Sequence, residues 1–262
     1  MRDRVADVIW LIWRAWYPLI LYSLFGMGTA VMMQNAGFDP YERDAVMSTG
    51  IAALMSSACL GILYIQAKNA VPQTSRFCIR SGIWTVLAGI GSCFFVNNMI
   101  TLIGLTSEAY EKASARLYQP SLGIQIAAIG FLIPVAEELI FRGLGYFRLR
   151  WKLSFRGAAL VSALYFGWYH GNIVQGIYAF LLGLLLAGVY EAYHSLWAPV
   201  CLHVTANLSS LLFTELVPEE IRRCIPLTPM LLVSGGILIF GLYKIREDVK
   251  KREVTIGGNS LL

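Results

Sequence analysis

Residues 121–143 read SLGIQIAAIGFLIPVAEELIFRG, and this stretch decides the fold class. Its first sixteen residues carry no charge, and its full length suffices for the roughly 20 mostly apolar residues with which a helix crosses a bilayer. The apolar run ends on Glu137, Glu138 and Arg142. Ionisable residues within a span are costly and therefore indicate a functional site. The stretch predicts a membrane-spanning helix that carries polar chemistry.

The composition of the whole chain agrees with a membrane protein. Of the 262 residues, 57% are hydrophobic and 14% are charged, whereas a soluble protein carries about a quarter charged residues. So few charges cannot cover a water-soluble fold of this size. The same composition excludes an intrinsically disordered chain and a disulfide-dense secreted scaffold.

Apolar runs predict eight transmembrane helices within a single membrane domain, residues 1–262. The runs are too long for barrel strands and do not alternate, so the fold class is all-α and polytopic. The predicted spans cover residues 16–33, 46–66, 79–105, 121–141, 157–170, 174–190, 196–213 and 226–243. Residues 1–15 mix basic and apolar side chains, which predicts an amphipathic segment at the membrane interface. We expect no cleaved signal peptide, because the first apolar run is long enough to span.

The distribution of basic residues predicts the orientation of the spans. With both termini in the cytoplasm, fifteen Lys and Arg residues fall on the cytoplasmic side and five on the opposite side, Arg142 being left out of this count. This bias follows the positive-inside rule. The net charge of +5 therefore indicates topology and contact with anionic lipid headgroups rather than nucleic-acid binding.

Three groups of polar residues lie within the fourth, fifth and seventh predicted spans. They are Glu137, Glu138 and Arg142, then Phe166 and His170, then His203 and Asn207. A spacing of four residues puts Glu138 and Arg142 on one helix face, where they can form an ion pair. His203 and Asn207 share a face for the same reason. Glu137 is rotated by about 100° from Glu138 and is left for another partner.

The predicted depths of these groups are similar. At 1.5 Å per residue, Glu137, His170 and His203 lie roughly 15, 20 and 12 Å from the nearest cytoplasmic joints. We therefore expect one polar intramembrane cavity between the fourth, fifth and seventh spans, open toward the cytoplasm.

The residue types in these groups suit the hydrolysis of an amide bond. A glutamate in an apolar pocket can act as a general base on water, and an Asn amide can donate to a developing oxyanion. Two imidazoles and one carboxylate also match the ligand set of a catalytic zinc. Two mechanisms stay open: Glu137 activates a free or zinc-bound water, or Glu137 binds the metal and Glu138 is the base.

The three motifs resemble those of one family. Glu137-Glu138-x-x-x-Arg142, Phe166-x-x-x-His170 and His203-x-x-x-Asn207, in this order, are similar to the motifs of the CPBP (Abi) intramembrane proteases, which are bacterial relatives of the type II CAAX prenyl endopeptidase. The motif-bearing core covers residues 121–213. The resemblance implies that Glu137 is the catalytic glutamate, that His170, His203 and Asn207 complete the site, and that Glu138 and Arg142 support it.

The resemblance implies an intramembrane endopeptidase of the bacterial cell membrane that acts on peptides or membrane-associated proteins. It leaves open whether the enzyme is a metalloprotease with one Zn²⁺ bound by Glu137, His170 and His203. A non-catalytic membrane scaffold or bacteriocin-immunity protein on the same fold is the alternative. A transporter with a Glu/His relay is disfavoured, because no inverted repeat is found in the sequence. Purely structural roles are also possible for these residues. Glu138 and Arg142 could form an ion pair without a catalytic role, and His203 and Asn207 could bridge helices by hydrogen bonds.

Overall fold

The computed structural model describes residues 2–71 and 75–258, with side chains described from Ile9 to Arg252, and this part of the chain forms helices and short connections without any strand. The all-α fold is confirmed. The helices in chain order are α1 (Arg2–Asn35), α2 (Ala45–Ala70), α3 (Ile79–Leu102), α4 (Glu108–Leu117), α5 (Leu122–Leu149), α6 (Phe155–Tyr169), α7 (Ile173–Tyr193), α8 (Trp197–Leu216), α9 (Glu219–Cys224) and α10 (Leu227–Gly258).

Six of the described helices are long and apolar enough to cross a membrane, so the chain is an integral membrane protein. They are Ile9–Asn35 of α1, then α2, α3, α5, α7 and Leu227–Arg252 of α10. The other two predicted spans are also helical, as α6 and α8, but eight is an approximate count. The 15 residues of α6 reach only about 22 Å, short of a ~30 Å apolar core. The second of these helices, α8, carries His203 and Asn207 in its apolar run.

The N-terminal segment does not form a separate element. Residues 2–15, from the predicted interfacial segment 1–15, belong to the same continuous helix as the first span, α1, and their location at the membrane interface stays a prediction. The helix continues through Pro18, which has no N–H to donate to the carbonyl of Arg14. That carbonyl instead accepts a hydrogen bond from Nη1 of Arg148 at 2.7 Å. A side chain of α5 thus satisfies the group that the proline leaves without its helical partner.

The contacts of the chain group it into two compact units, which are described separately. Unit 1 consists of Met1–Pro72 and Thr106–Leu184, and unit 2 consists of Gln73–Leu105 and Leu185–Leu262. The single domain stays a prediction.

Helix α5 is the centre of unit 1. Two π-helical segments, Ile126–Leu132 and Leu139–Tyr146, flank the α-helical segment Ile133–Glu138, which contains both motif glutamates. Such wider turns are rare and frequently accompany functional sites. Pro134 lies where the first π segment ends, and its missing N–H interrupts the ladder of helical hydrogen bonds there. The motif residues therefore stand on an irregular, buried helix.

Unit 2 is built on close contacts between α3 and α10. A Cβ atom added to Gly91 would lie 2.5 Å from the backbone nitrogen of Leu238, and one added to Gly241 would lie 2.8 Å from that of Ala88. Such distances are too short for real side chains, so glycine lets the two backbones touch. Small residues serve this purpose at helix contacts in membranes.

A polar cluster joins the start of α3 to α7 and α10 within unit 2. The carboxylate oxygen Oδ2 of Asp248 accepts hydrogen bonds from Ser81 at 2.6 Å, from Arg252 at 3.0 Å and from Tyr193 at 3.2 Å. Nη2 of Arg252 also lies 2.9 Å from Sγ of Cys78. Burial raises the pKa of the Cys78 thiol, but hydrogen bonds from Ser81 and the Arg80 backbone and the charge of Arg252 outweigh it, so this pKa lies below its ordinary value.

Candidate active site

A fully buried ion pair lies at the centre of the first motif. Nη1 of Arg142 donates to Oε1 of Glu138 at 2.8 Å, and both side chains are 0% exposed. Nη2 of Arg142 donates to the carbonyl of Gly183 at 3.3 Å, and the guanidinium lies 4.4 Å from the centre of the Phe166 ring. The pair that the four-residue spacing allows is therefore present, and α6 and α7 both contribute to its surroundings.

Gly183 on α7 provides the space for this guanidinium. A Cβ atom at this position would lie 3.2 Å from Nη2 of Arg142 and 3.1 Å from Cβ of Ala163. Any side chain here would therefore press on both the ion pair and α6. No motif in the sequence indicates this role, because Gly183 is one of several glycines in an apolar helix.

Glu137 lies beside the ion pair but belongs to a different face of α5. Its residue is 6% exposed, and it interacts electrostatically with the phenols of Tyr22 and Tyr169 and with Arg142. A carboxylate in such an environment, shielded from bulk water, is a suitable general base. Unit 1 therefore separates two adjacent glutamates: Glu138 is bound by Arg142, and Glu137 faces tyrosines.

His170 follows the last residue of α6, and its ring is fixed on that helix. Nδ1 lies 2.8 Å from the carbonyl of Phe166, and the two rings meet edge to face with centres 4.8 Å apart. In the tautomer whose Nδ1 carries the proton, this nitrogen donates to the carbonyl and Nε2 is an acceptor. The spacing of the second motif thus orients the imidazole.

The chain reverses direction immediately after His170. Gly171 has a φ of +72°, a conformation that glycine adopts without strain, and Asn172 begins the next turn. Oδ1 of Asn172 accepts from the backbone N–H of Gln175 at 2.9 Å, which caps the start of α7. Three consecutive residues therefore end one helix, place the imidazole and start the next helix.

An apolar groove runs between α6 and α7 beside this turn. Its volume is about 570 Å³ and it is open on one side. Its lining includes Leu164, Gly167, Trp168, Ile173, Gly176 and Phe180. The lining is mostly apolar, with Asn172 as a polar member, and it includes Gly171, which directly follows the candidate histidine.

The third motif lies on α8 in unit 2. His203 is 3% exposed, Asn207 is half-buried, and one helical turn separates them on the same face. Because Glu137 and His170 belong to unit 1, the expected meeting of all four residues in one cavity stays a prediction.

The described residues contain no group of three or more His, Cys, Asp or Glu side chains arranged to hold a metal ion. A catalytic zinc takes three protein ligands. The predicted Zn²⁺ site at Glu137, His170 and His203 therefore has no observed ligand group, and metal binding stays a prediction.

Two tyrosines near Glu137 were not indicated by the sequence. Tyr169 directly precedes His170, so its position in the motif was the available signal. Tyr22 lies on α1, more than one hundred residues away, and its proximity follows only from the packing of α1 against α5 and α6. A lone tyrosine in an apolar span carries no pattern that could reveal this.

An all-helical integral membrane protein with a buried Glu–Arg pair and an oriented histidine has the features of an intramembrane peptidase, and comparisons with known proteins support this class. The family model described as "Type II CAAX prenyl endopeptidase Rce1-like" matches residues 119–209, close to the motif-bearing core expected from the sequence. A protein of Bacillus subtilis (strain 168) named "Putative membrane peptidase YdiL" is 22% identical over 240 residues, which cover 86% of this chain and 98% of the relative. No solved structure matches the chain significantly. Both findings agree with the resemblance to the CPBP intramembrane proteases that the motifs indicate.

Proposed function

We propose that the chain is an intramembrane endopeptidase that hydrolyses peptide bonds of membrane-associated proteins or peptides with a water molecule activated by Glu137. One observation carries this proposal. The neighbouring Glu138 is bound by Arg142 in a fully buried ion pair, whereas Glu137 is buried on another face and interacts electrostatically with the phenols of Tyr22 and Tyr169. Glu138 therefore has a structural role, and Glu137 is the glutamate suited to act on a reactant.

The reaction begins when Glu137 takes a proton from the water molecule. The resulting hydroxide attacks the carbonyl carbon of the scissile peptide bond and forms a tetrahedral oxyanion. The protonated Glu137 then delivers its proton to the leaving nitrogen as the carbon–nitrogen bond breaks, which regenerates the carboxylate. One residue thus serves as base and then as acid.

The other motif residues orient the water molecule, stabilise the oxyanion and hold the helices together. Nε2 of His170 accepts a hydrogen bond from the water, because Nδ1 is directed at the carbonyl of Phe166. For the two motif residues of α8, His203 and Asn207, the proposed role is to complete the site, with the Asn207 amide as a donor to the oxyanion. Glu138 and Arg142 hold α5 against α6 and α7.

Turnover of a quenched fluorescent peptide library by the purified protein in lipid nanodiscs tests the proposal. Glu137→Gln keeps the shape of the side chain but removes the base, so kcat should fall by about 10²–10⁴-fold. Glu108→Gln is the matched control, because Glu108 is an exposed glutamate paired with Lys112 on α4. It should cleave at the wild-type rate.

Two outcomes would contradict the proposal. Unchanged turnover by a folded Glu137→Gln protein would exclude Glu137 as the base. Absence of cleavage by the wild-type protein, across the library, would favour the non-catalytic scaffold. The same assay with a chelator distinguishes the two ways of activating the water. Activity that is lost with the chelator and restored by Zn²⁺ would show that a metal is required. Activity that is retained would show that the carboxylate alone activates the water.

A further inference from the structure

Tyr22 on α1 has a buried hydroxyl group. The residue is 5% exposed, and Oη has no hydrogen-bond partner among the described residues. Buried hydroxyl groups in native proteins are almost always hydrogen-bonded, because an unmade bond costs free energy. A buried hydroxyl without a hydrogen bond therefore needs an explanation. One explanation is that it binds a group of the substrate.

The surroundings of this hydroxyl belong to the candidate active site. The ring of Tyr22 meets that of Tyr169 edge to face, with centres 6.4 Å apart. Both phenols interact electrostatically with Glu137, and the two hydroxyl groups also interact with each other, although Tyr22 Oη has no hydrogen bond of regular geometry. Tyr169 is followed by His170. The orphaned donor thus lies among the residues from which unit 1 builds its part of the site.

The position of Tyr22 is fixed by contacts along α1. The Trp16 and Tyr165 rings pack with centres 4.0 Å apart, and Nη2 of Arg148 donates to the hydroxyl of Tyr17 at 2.8 Å. These contacts attach α1 to α6 and α5 within one turn or two of Tyr22. A donor held in this way is preorganised, which is what stabilisation of a transition state requires.

We propose that Tyr22 is a further catalytic residue, whose buried and unpartnered hydroxyl donates a hydrogen bond to the carbonyl oxygen of the scissile bond. The inference rests on the proposed peptidase function. The phenol keeps its proton throughout, and the bond strengthens as the oxygen becomes an oxyanion. Donation to Glu137 or to the Tyr169 hydroxyl is the competing role, but Tyr22 Oη has no hydrogen bond of regular geometry among the described residues and is therefore available to a substrate.

The test compares Tyr22→Phe with Tyr41→Phe, which removes an exposed phenol from the segment after α1, outside the site. Removing one oxyanion donor typically lowers kcat by about 10²–10³-fold. We expect a loss of this size for Tyr22→Phe with KM nearly unchanged, and turnover within about threefold of wild type for Tyr41→Phe. A phosphinate analogue of the cleaved peptide, which mimics the tetrahedral oxyanion, should lose affinity for Tyr22→Phe by a similar factor.

The outcomes separate this inference from the proposed function. If the wild-type protein cleaves and Glu137→Gln does not, while Tyr22→Phe retains kcat and analogue affinity, the role of Tyr22 is wrong and the peptidase stands. Absence of wild-type cleavage overturns both. A lower kcat with unchanged analogue affinity would indicate a purely structural role and overturn the inference. Rates are normalised to the folded fraction, and Tyr22→Met is the second variant should Tyr22→Phe unfold.

Discussion

Replacing Arg142 by methionine would remove the cation of the buried ion pair and keep an unbranched side chain of similar length. Three interactions are lost: the 2.8 Å bond to Glu138, the 3.3 Å bond to the Gly183 carbonyl and the contact with the Phe166 ring at 4.4 Å. The larger effect is on Glu138, whose carboxylate would stay fully buried without its cation. Breaking a buried pair in this way costs about 3–5 kcal/mol of stability.

A double replacement separates the ion pair from the packing. Glu138→Leu combined with Arg142→Met leaves no buried charge, and such apolar exchanges are often neutral or stabilising. We therefore expect the double variant to recover most of the loss, with a coupling energy of about 3 kcal/mol or more. Lys112→Met is the matched control, because Lys112 and Glu108 form an exposed pair at the same four-residue spacing. Its loss should cost at most about 0.5 kcal/mol.

The assay is reversible unfolding in mixed detergent micelles, with increasing dodecyl sulfate as denaturant and helix content followed by circular dichroism. The free energy of unfolding is compared between the single variants, the double variant and the exposed control. A cost below about 1 kcal/mol for Arg142→Met, far under the range for a broken buried pair, would refute the reasoning. A double variant as unstable as Arg142→Met would refute it equally, because the loss would then come from packing.

Two further predictions concern α7 and the polar cluster of unit 2. Gly183→Ala places a methyl group against Arg142 and α6, so it should destabilise the protein by about 1–3 kcal/mol. At Gly188 on the same helix a Cβ meets nothing within 4 Å, so Gly188→Ala should stabilise the protein by up to about 1 kcal/mol. The same unfolding titration measures both variants. The lowered pKa of Cys78 means that its thiolate persists to lower pH than an ordinary thiolate, so the midpoint of its pH–alkylation profile should lie below that of cysteine in a short unstructured peptide. Arg252→Gln removes a charge that stabilises the thiolate, so it should shift the Cys78 midpoint upward; mass spectrometry of maleimide adducts measures both, and equal midpoints would contradict the assignment.

Local spacing was enough for the features that lie within one helix. The apolar runs predicted the positions of eight helices, six of which are long and apolar enough to span, because a long apolar run has no other stable state in lipid. The Glu138–Arg142 pair followed from four-residue spacing, and the fixed imidazole of His170 lies on the same short-range register. Such features depend on the helical repeat alone.

Features that depend on contacts between helices distant in the chain could not be predicted from the sequence. The continuous helix through Pro18 persists because Arg148, on α5, satisfies the carbonyl of Arg14. Length also failed to decide the number of spans, since α6 is helical but only 15 residues long. The two π segments of α5 likewise have no signature in the apolar pattern.

The amino-acid sequence by itself determined the membrane class, the helical elements and the set of motif residues, because hydropathy and helical periodicity are local properties. Only the tertiary structure decided that Gly183 makes room for the guanidinium of Arg142, that Glu138 is bound while Glu137 faces tyrosines, and that Tyr22 lies among them. The physical reason is that these relations arise between α1, α5, α6 and α7. Contacts across such separations are set by packing, which no single stretch of sequence specifies.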